Sequence, residues 1–144
     1  MITSDYILSI LPEMEQFNSL DMESHVHMAN GYDGVIALLD NIRTTSYPAI
    51  IIEDRSSGNI VIDAGPLDTY SISLWLMLQD VQKEQSTLFV EAFDLVKKLT
   101  RILIRDADTL DGLDYSRIPY FKRMTADACG YELILTFRQN IDLS

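Results

Sequence analysis

Hydrophobic positions follow two regular patterns in the second half of the chain. From Tyr70 to Gln79 they alternate with period two, as on one face of a strand. From Ser86 to Arg105 they recur with the 3.6-residue period of a helix, and Ser86 is a suitable N-cap. The strand face comprises Tyr70, Ile72, Leu74, Leu76 and Leu78, and the helix stripe comprises Leu88, Ala92, Leu95, Val96, Leu99, Ile102 and Leu103. The two patterns predict a sheet packed on a long amphipathic helix.

The N-terminal third predicts two helices. A hydrophobic stripe from Met1 to Phe17 indicates the first, with Ser4 as its N-cap and Pro12 dividing it. The second is predicted from Tyr32 to Arg43, with an apolar inward face. Residues 18–32 are too weakly periodic for an element to be assigned.

Three strands are predicted in the middle of the chain, as an antiparallel meander. The first runs from Tyr47 to Glu53, and the polar stretch Asp54 to Gly58 is interpreted as a hairpin connection. The return strand is Asn59 to Asp63. A turn at Gly65-Pro66 then leads into the strand Tyr70 to Gln79.

The C-terminal part predicts a second pair of strands, Ile118 to Thr125 and Tyr131 to Gln139, joined by a turn over Ala126 to Gly130. The order of elements predicts an α+β fold in a single domain over residues 1–144. Its mainly antiparallel sheet, a β-meander plus a C-terminal hairpin, would pack against the long helix, with the N-terminal helices alongside.

Composition narrows the classes of partner. The chain has 144 residues, is 47% hydrophobic and carries a formal net charge of −11, from 11 Lys and Arg against 22 Asp and Glu. Such acidity disfavours direct binding of nucleic acid or of anionic membranes, which both depend on basic side chains. No secretory signal is recognised and no apolar stretch approaches the ~20 residues of a membrane span, so a soluble, cytoplasmic protein is expected.

Two groups of residues have the composition of a metal site. His25-Val26-His27 would direct two imidazoles to one side of a strand, with Asp21 and Glu23 as further donors. The alternative is a pair of surface or capping histidines, and we expect no metal here. The second group is an acidic loop of Asp106, Asp108, Asp111 and Asp114, which fails the EF-hand spacing and is interpreted as a solvated loop.

Other candidate chemistry is weak. Asp54 and Asp63 flank the predicted hairpin as a possible carboxylate pair, but nothing near them in sequence favours general acid catalysis. Cys129 has no basic neighbour and is expected to be a buried or turn-adjacent structural cysteine. Glycine-rich phosphate loops and nucleophile motifs are absent from the sequence. We therefore predict no catalytic residues, no cofactor and no enzyme activity.

One predicted strand face has no assigned cover. Ser71, Ser73, Trp75 and Met77 alternate with the hydrophobic face of their strand. Either the N-terminal helices cover this second face, or a partner subunit does.

The order of helix, meander, long helix and terminal strand pair resembles small tail-completion and tail-terminator proteins of tailed phages and prophages, or head–tail joining proteins. The segments that carry the resemblance are Ser46 to Glu53, the strand around Tyr70 to Met77, the helix Thr87 to Ile104 and the ending Gly130 to Phe137. It covers about Tyr32 to Asn140.

The resemblance implies a non-enzymatic subunit that forms a ring and contacts other virion or tail proteins through edge strands and loops. An acidic surface facing a DNA channel would let DNA pass without sticking. Such a protein would be cytoplasmic in the producing bacterium and later part of the virion. The alternative is a small bacterial adaptor module that binds a protein through its sheet.

Overall fold

The computed structural model describes residues 2–17, 21–53, 58–62, 65–125 and 128–144. Within these ranges, three α-helices and six strands form one mixed sheet with helices on both faces. The helices are α1 (Ser4–Ile10), α2 (Gly31–Leu39) and α3 (Gln85–Arg105). The strands are β1 (Val26–Ala29), β2 (Ala49–Glu53), β3 (Gly58–Val61), β4 (Leu67–Leu78), β5 (Tyr120–Met124) and β6 (Cys129–Asn140). Short 3-10 turns occupy Leu11–Glu13, Glu15–Phe17, Met22–His25, Thr44–Ser46 and Ala107–Thr109.

The sheet has the strand order β1-β2-β4-β6-β5, with β3 also paired to β4. β1 runs parallel to β2, and the other pairs are antiparallel. The predicted α+β class, with a mainly antiparallel sheet against a long helix, is confirmed. The C-terminal hairpin is confirmed as β5 and β6.

The pair β4 and β6 forms the centre of the sheet, in register from Leu67 opposite Asn140 to Leu78 opposite Cys129. Gly130 allows the two backbones to approach closely. A Cβ atom at this position would lie 1.9 Å from the carbonyl oxygen of Leu76. The residue must therefore be glycine if the register is to persist to the end of the pair.

The predicted hairpin between the first two strands of the meander is wrong. β2 and β3 both pair antiparallel with β4, so they run in the same direction along one side of it. Glu53 at the end of β2 pairs with Ser73, and Gly58 at the start of β3 pairs with Tyr70. Four residues lie between Glu53 and Gly58, whereas two lie between their partners on β4, so β2 and β3 have two more residues between them than the facing part of β4 has. The stretch Asp54 to Gly58 has the composition of a turn but does not reverse the chain; residues 54–57 themselves lie outside the described residues.

The hydrophobic face of β4 predicted from the alternation packs against α1 and α3 in the main core. The seven predicted stripe residues of α3 are all buried. The second face carries a smaller core beneath α2, in which Val35 and Leu39 contact Ile51, Trp75 and Met77. One N-terminal helix therefore covers part of the second face, while the other lies on the same side as α3.

Several predicted boundaries shift. The N-cap of α1 is Thr3, whose hydroxyl accepts a hydrogen bond from the Tyr6 amide at 3.1 Å, and not Ser4. Pro12 ends this helix as predicted, since a 3-10 turn begins at Leu11. Ser86 lies inside α3 and is not its cap, because the helix begins at Gln85.

Of the helices in the described ranges, none combines the length and apolar character that crossing a bilayer requires.

Candidate functional site

The two histidines do not share a strand face. His25 ends a 3-10 turn and is buried, and its Nδ1 lies 3.0 Å from the Ser46 carbonyl oxygen and 2.9 Å from that of Pro48. Because both neighbours are acceptors, Nδ1 carries a hydrogen and donates it. His27 belongs to β1, and burial lowers the pKa of its imidazole. Of the two alternatives, surface or capping histidines, the first is wrong for His25, which bonds to a carbonyl oxygen at the end of the 3-10 turn Thr44–Ser46 and so holds the chain that leads into β2.

The acidic loop does not converge on a single point. Asp106 accepts hydrogen bonds from Arg105 at 2.8 Å and from the Tyr6 hydroxyl at 2.9 Å, which joins the start of the chain to the end of α3. The Arg105 guanidinium holds the pKa of the Asp106 carboxyl below its usual range. Asp114 accepts from the Ser116 hydroxyl at 2.6 Å instead. Among the residues that the structure describes, no three His, Cys, Asp or Glu side chains are grouped to hold a metal ion.

Three further positions were considered as candidate chemistry in the sequence. Asp54 and Asp63 lie outside the described residues. Cys129 is buried at the start of β6, as predicted, and burial raises the pKa of its thiol. A thiol with a raised pKa is a poor nucleophile at neutral pH.

A buried carboxylate lies on the second face of the sheet, at Glu132 of β6. Its Oε2 accepts a hydrogen bond of 2.6 Å from the Ser73 hydroxyl on β4. Its Oε1 accepts from Nε and Nη2 of Arg123 on β5, both at 2.8 Å. One side chain therefore ties together three neighbouring strands, and each of its oxygens has a donor.

A second carboxyl, Glu53 of β2, lies opposite Ser73 on the other side of β4. Burial and then the charge of Glu132 raise the pKa of this carboxyl, while Ser73 and Arg123 oppose the rise. Arg123 thus contacts Glu132 directly and acts on Glu53 only through its charge.

The guanidinium of Arg123 also contacts two aromatic rings. Its central carbon lies 5.5 Å from the ring centre of Trp75 and 5.4 Å from that of Phe121. Both oxygens of Glu132 already accept hydrogen bonds within the cluster, from Ser73 and from Arg123. The evident effect of the cluster is to hold β5 in place on β6. We call Glu53, Ser73, Glu132 and Arg123 the polar cluster.

The strand that the polar cluster fixes is an exposed edge. β5 ends the strand order, and no other strand within the described ranges pairs with its outer side. Tyr120, Phe121 and Met124 are 52%, 44% and 58% exposed, a large apolar content for an edge strand. Backbone hydrogen-bonding groups and apolar side chains are therefore available along the same strand.

A groove of about 530 Å³ lies beside this edge, between β5 and α3. Its apolar lining includes Phe93, Val96, Ile104, Ile118 and Tyr120. The charged residues that line it, Lys97 and Arg101, are both basic. We call β5 together with this groove the β5 edge.

A larger groove of about 620 Å³ on another side of α3 is a weaker candidate. Three of the four charged residues in its lining are already paired, Lys83 with Glu91 at 2.8 Å and Asp94 with Lys98 at 3.1 Å. A ligand would have to replace these contacts, whereas the apolar lining of the β5 edge has no such partners to displace.

Neither the polar cluster nor the β5 edge was predicted from the sequence. Glu132 and Arg123 sit nine positions apart in two strands, and the alternation of β6 placed Glu132 on a face of unknown cover. A usable signal was the charge of Glu132 in a strand whose other residues are mostly apolar, since a carboxylate that far inside a sheet requires a cation on a neighbouring strand.

Comparison with known protein families finds no match, and comparison with curated proteins finds no similar sequence.

Proposed function

We propose that this protein is a non-enzymatic structural or assembly subunit of a phage or prophage particle. It acts at the tail end or the head–tail junction, through contacts between copies of itself and with other virion or tail proteins. The observation that supports this most is the β5 edge, an apolar edge strand with an apolar groove beside it.

Exposed edge strands are a liability that monomeric proteins usually cover or charge. An uncovered edge offers its amides and carbonyls to a further strand, and apolar side chains favour that addition by leaving water. In β5, three of five residues are large exposed hydrophobics; the other two are Lys122 and Arg123, and Arg123 is paired with Glu132. This composition is typical of a surface that is covered in an assembly.

The polar cluster supports the same function by making the edge rigid. Arg123 anchors β5 through Glu132, and Tyr120 packs on Phe93 with ring centres 5.3 Å apart. A preformed edge loses little conformational freedom on docking, so more of the contact energy is retained as affinity.

The net charge of the chain and its expected location are compatible with this function. A net charge of −11 is compatible with a channel along which DNA passes without binding, because like charges repel. The protein would be made in the bacterial cytoplasm and then incorporated into a particle.

Native mass spectrometry and light scattering over a wide range of concentration test the proposal. We expect an oligomer with a fixed number of subunits. Replacing the 58% exposed Met124 of β5 by Ser should weaken it, whereas the same change at Val81, 94% exposed in the connection before α3, should not. A chain that stays monomeric at the highest concentration would refute the proposal.

A bacterial adaptor module is the second candidate. An open edge strand with a neighbouring groove is also how some domains bind an extended peptide. This function predicts a monomer that gains a partner strand at β5, so it is distinguished from the first by the oligomeric state of the isolated protein.

A further inference from the structure

We infer that the groove between β5 and α3 receives helix α2 of a second copy of this chain. The inference rests on the proposed function and specifies which two surfaces meet when copies associate. Both surfaces lie within the described ranges.

The groove is bordered by two cations that are free to meet a partner. Lys97 and Arg101 lie about one turn apart on α3, both are exposed, and neither forms an ion pair within the described ranges. Lys97 acts on Asp94 only through its charge, because that carboxylate is paired with Lys98 at 3.1 Å. Cations beside an apolar lining favour a partner that is acidic and partly apolar.

The outer side of α2 has the complementary composition. Four residues recur there at the i, i+3, i+4 and i+7 spacing that places side chains on one side of a helix: Asp33, Ile36, Ala37 and Asp40. Both aspartates and Ala37 are exposed, and Ile36 is half-buried. Neither aspartate forms an ion pair in the part of the chain that the structure describes. Two acids therefore bracket an apolar centre, and we call these four residues the α2 face.

The α2 face is held in place from beneath. Val35 and Leu39 anchor the inner side of the helix in the smaller core. At the start of the helix, Tyr32 is 56% exposed, and its ring centre lies 5.8 Å from that of the buried Trp75. A preformed helical surface loses little conformational freedom when it docks, and an amphipathic helix in an apolar groove is a recurrent mode of recognition.

Charge decides which surfaces meet. Two grooves facing each other would oppose basic residues, and two α2 faces would oppose acidic ones, which costs free energy in both cases. The α2 face in the groove brings unlike charges together and removes apolar side chains from water on both sides. Several carboxylates elsewhere are already paired with basic residues of their own chain: Glu13, Glu91, Asp94, Asp106 and Asp114.

The fold makes this a contact between copies. α2 packs on the second face of the sheet, whereas the groove lies on the side of α3 and the main core. The sheet separates the two surfaces, so α2 cannot reach the groove of its own copy. Each copy presents both surfaces and can bind one neighbour through each. The contact is therefore heterologous, and it closes into a ring or extends as a filament.

Charge reversal on each surface tests the contact by native mass spectrometry and light scattering. Lys97→Glu with Arg101→Glu makes the groove acidic, and Asp33→Lys with Asp40→Lys makes the α2 face basic. We expect each double variant to raise the dissociation constant of the wild-type oligomer at least about tenfold. The α2 variant is less acidic overall, which by itself would favour association, so its loss of assembly is specific to the contact. A quadruple variant with all four substitutions should assemble again, because unlike charges then meet.

Asp111→Lys is the matched control for the acid-to-base exchange. Asp111 is exposed, and its carbonyl oxygen accepts from Gln139 at 3.4 Å, beyond the part of β6 that pairs with β5. This variant should assemble as the wild type does. Urea unfolding followed by Trp75 fluorescence shows whether each variant is folded. If a reversal unfolds the chain, Arg101→Gln and Asp40→Asn replace it, and each should raise the dissociation constant about threefold.

Two results overturn the inference. One is a wild-type dissociation constant for a variant of either surface, and the other is a folded quadruple variant that does not recover assembly. A wild type that is monomeric would instead refute the proposed function itself, so the two failures are distinct.

Discussion

Replacing Gly130 by alanine should destabilise the protein more than its small size suggests. Gly130 faces the backbone of β4, and an added Cβ would lie 1.9 Å from the Leu76 carbonyl oxygen and 2.9 Å from its carbonyl carbon. Ordinary contacts of a Cβ atom begin near 3.4 Å. Strand β6 must therefore move by about 1.5 Å against the most extensively paired strand of the sheet.

Three contributions determine how far the free energy of unfolding changes in Gly130→Ala. Overpacking a close-packed region costs about 1–3 kcal/mol. Two weakened interstrand hydrogen bonds cost about 1 kcal/mol each. The lower backbone entropy of the unfolded alanine variant returns about 1 kcal/mol. The free energy of unfolding should thus fall by about 2–4 kcal/mol, a large part of the ~5–15 kcal/mol of a typical domain.

Urea unfolding measured by tryptophan fluorescence suits this test, because the chain contains one tryptophan, Trp75, and it is 1% exposed. Gly34→Ala is the matched control. Gly34 lies inside α2, and its added Cβ would lie 3.7 Å from that of Ala29, an ordinary contact. Alanine is the better helix former, so this variant should be unchanged or stabilised by up to about 1 kcal/mol.

The stabilities of Gly130→Ala and Gly34→Ala together distinguish a clash between β4 and β6 from a general effect of replacing glycine. A Gly130→Ala variant within about 1 kcal/mol of the wild type would show that the backbones of β4 and β6 are further apart than the structure places them. Equal destabilisation of both variants would show that the loss is not specific to the strand pair.

Three further substitutions test the side-chain contacts. Burial and the charge of Glu132 raise the pKa of the Glu53 carboxyl in the folded state, so its contribution to stability is present below the unfolded pKa and is lost as pH rises through the folded one. Glu53→Gln should therefore gain stability relative to the wild type as pH rises above the ordinary range of a glutamate carboxyl, which urea midpoints measured over a pH series will show. Ser73→Ala removes a donor from a buried oxygen of Glu132 and should cost about 1–3 kcal/mol in the same assay at pH 7. Tyr6→Phe removes the hydrogen bond to Asp106 and should cost about 1 kcal/mol, with faster amide exchange in α1. A pH-independent effect at Glu53, or a neutral result at either of the other two, would contradict the corresponding contact.

The parts of the fold that the sequence predicts are those whose burial is decided locally. The stripe of α3 and the alternation of β4 and β6 are each long enough to establish a period, and they correspond to buried faces in the structure. The parallel strand β1 was missed because four residues containing His27 give no period, and its pairing partner Ile51 lies more than twenty positions away.

The connection between β2 and β3 shows why local turn signals mislead. Asp54 to Gly58 has turn composition, yet the pairing of both strands with β4 keeps the chain moving forward. The polar cluster, too, depends on pairing between strands that are distant in the sequence. Arg123 and Glu132 meet through hairpin register, and Glu53 joins them through Ser73, which no single segment of sequence encodes.

The central position of β4 has a consequence for folding during synthesis. β1 depends on β2, β2 and β3 depend on β4, and one side of β4 is completed by β6, whose last paired residue is Asn140. Leu67 must therefore wait for a partner that the ribosome adds 73 residues later. Until then a nascent chain carries a largely apolar strand with one side unpaired, and the period before release is when it is most exposed to misassociation and to chaperones.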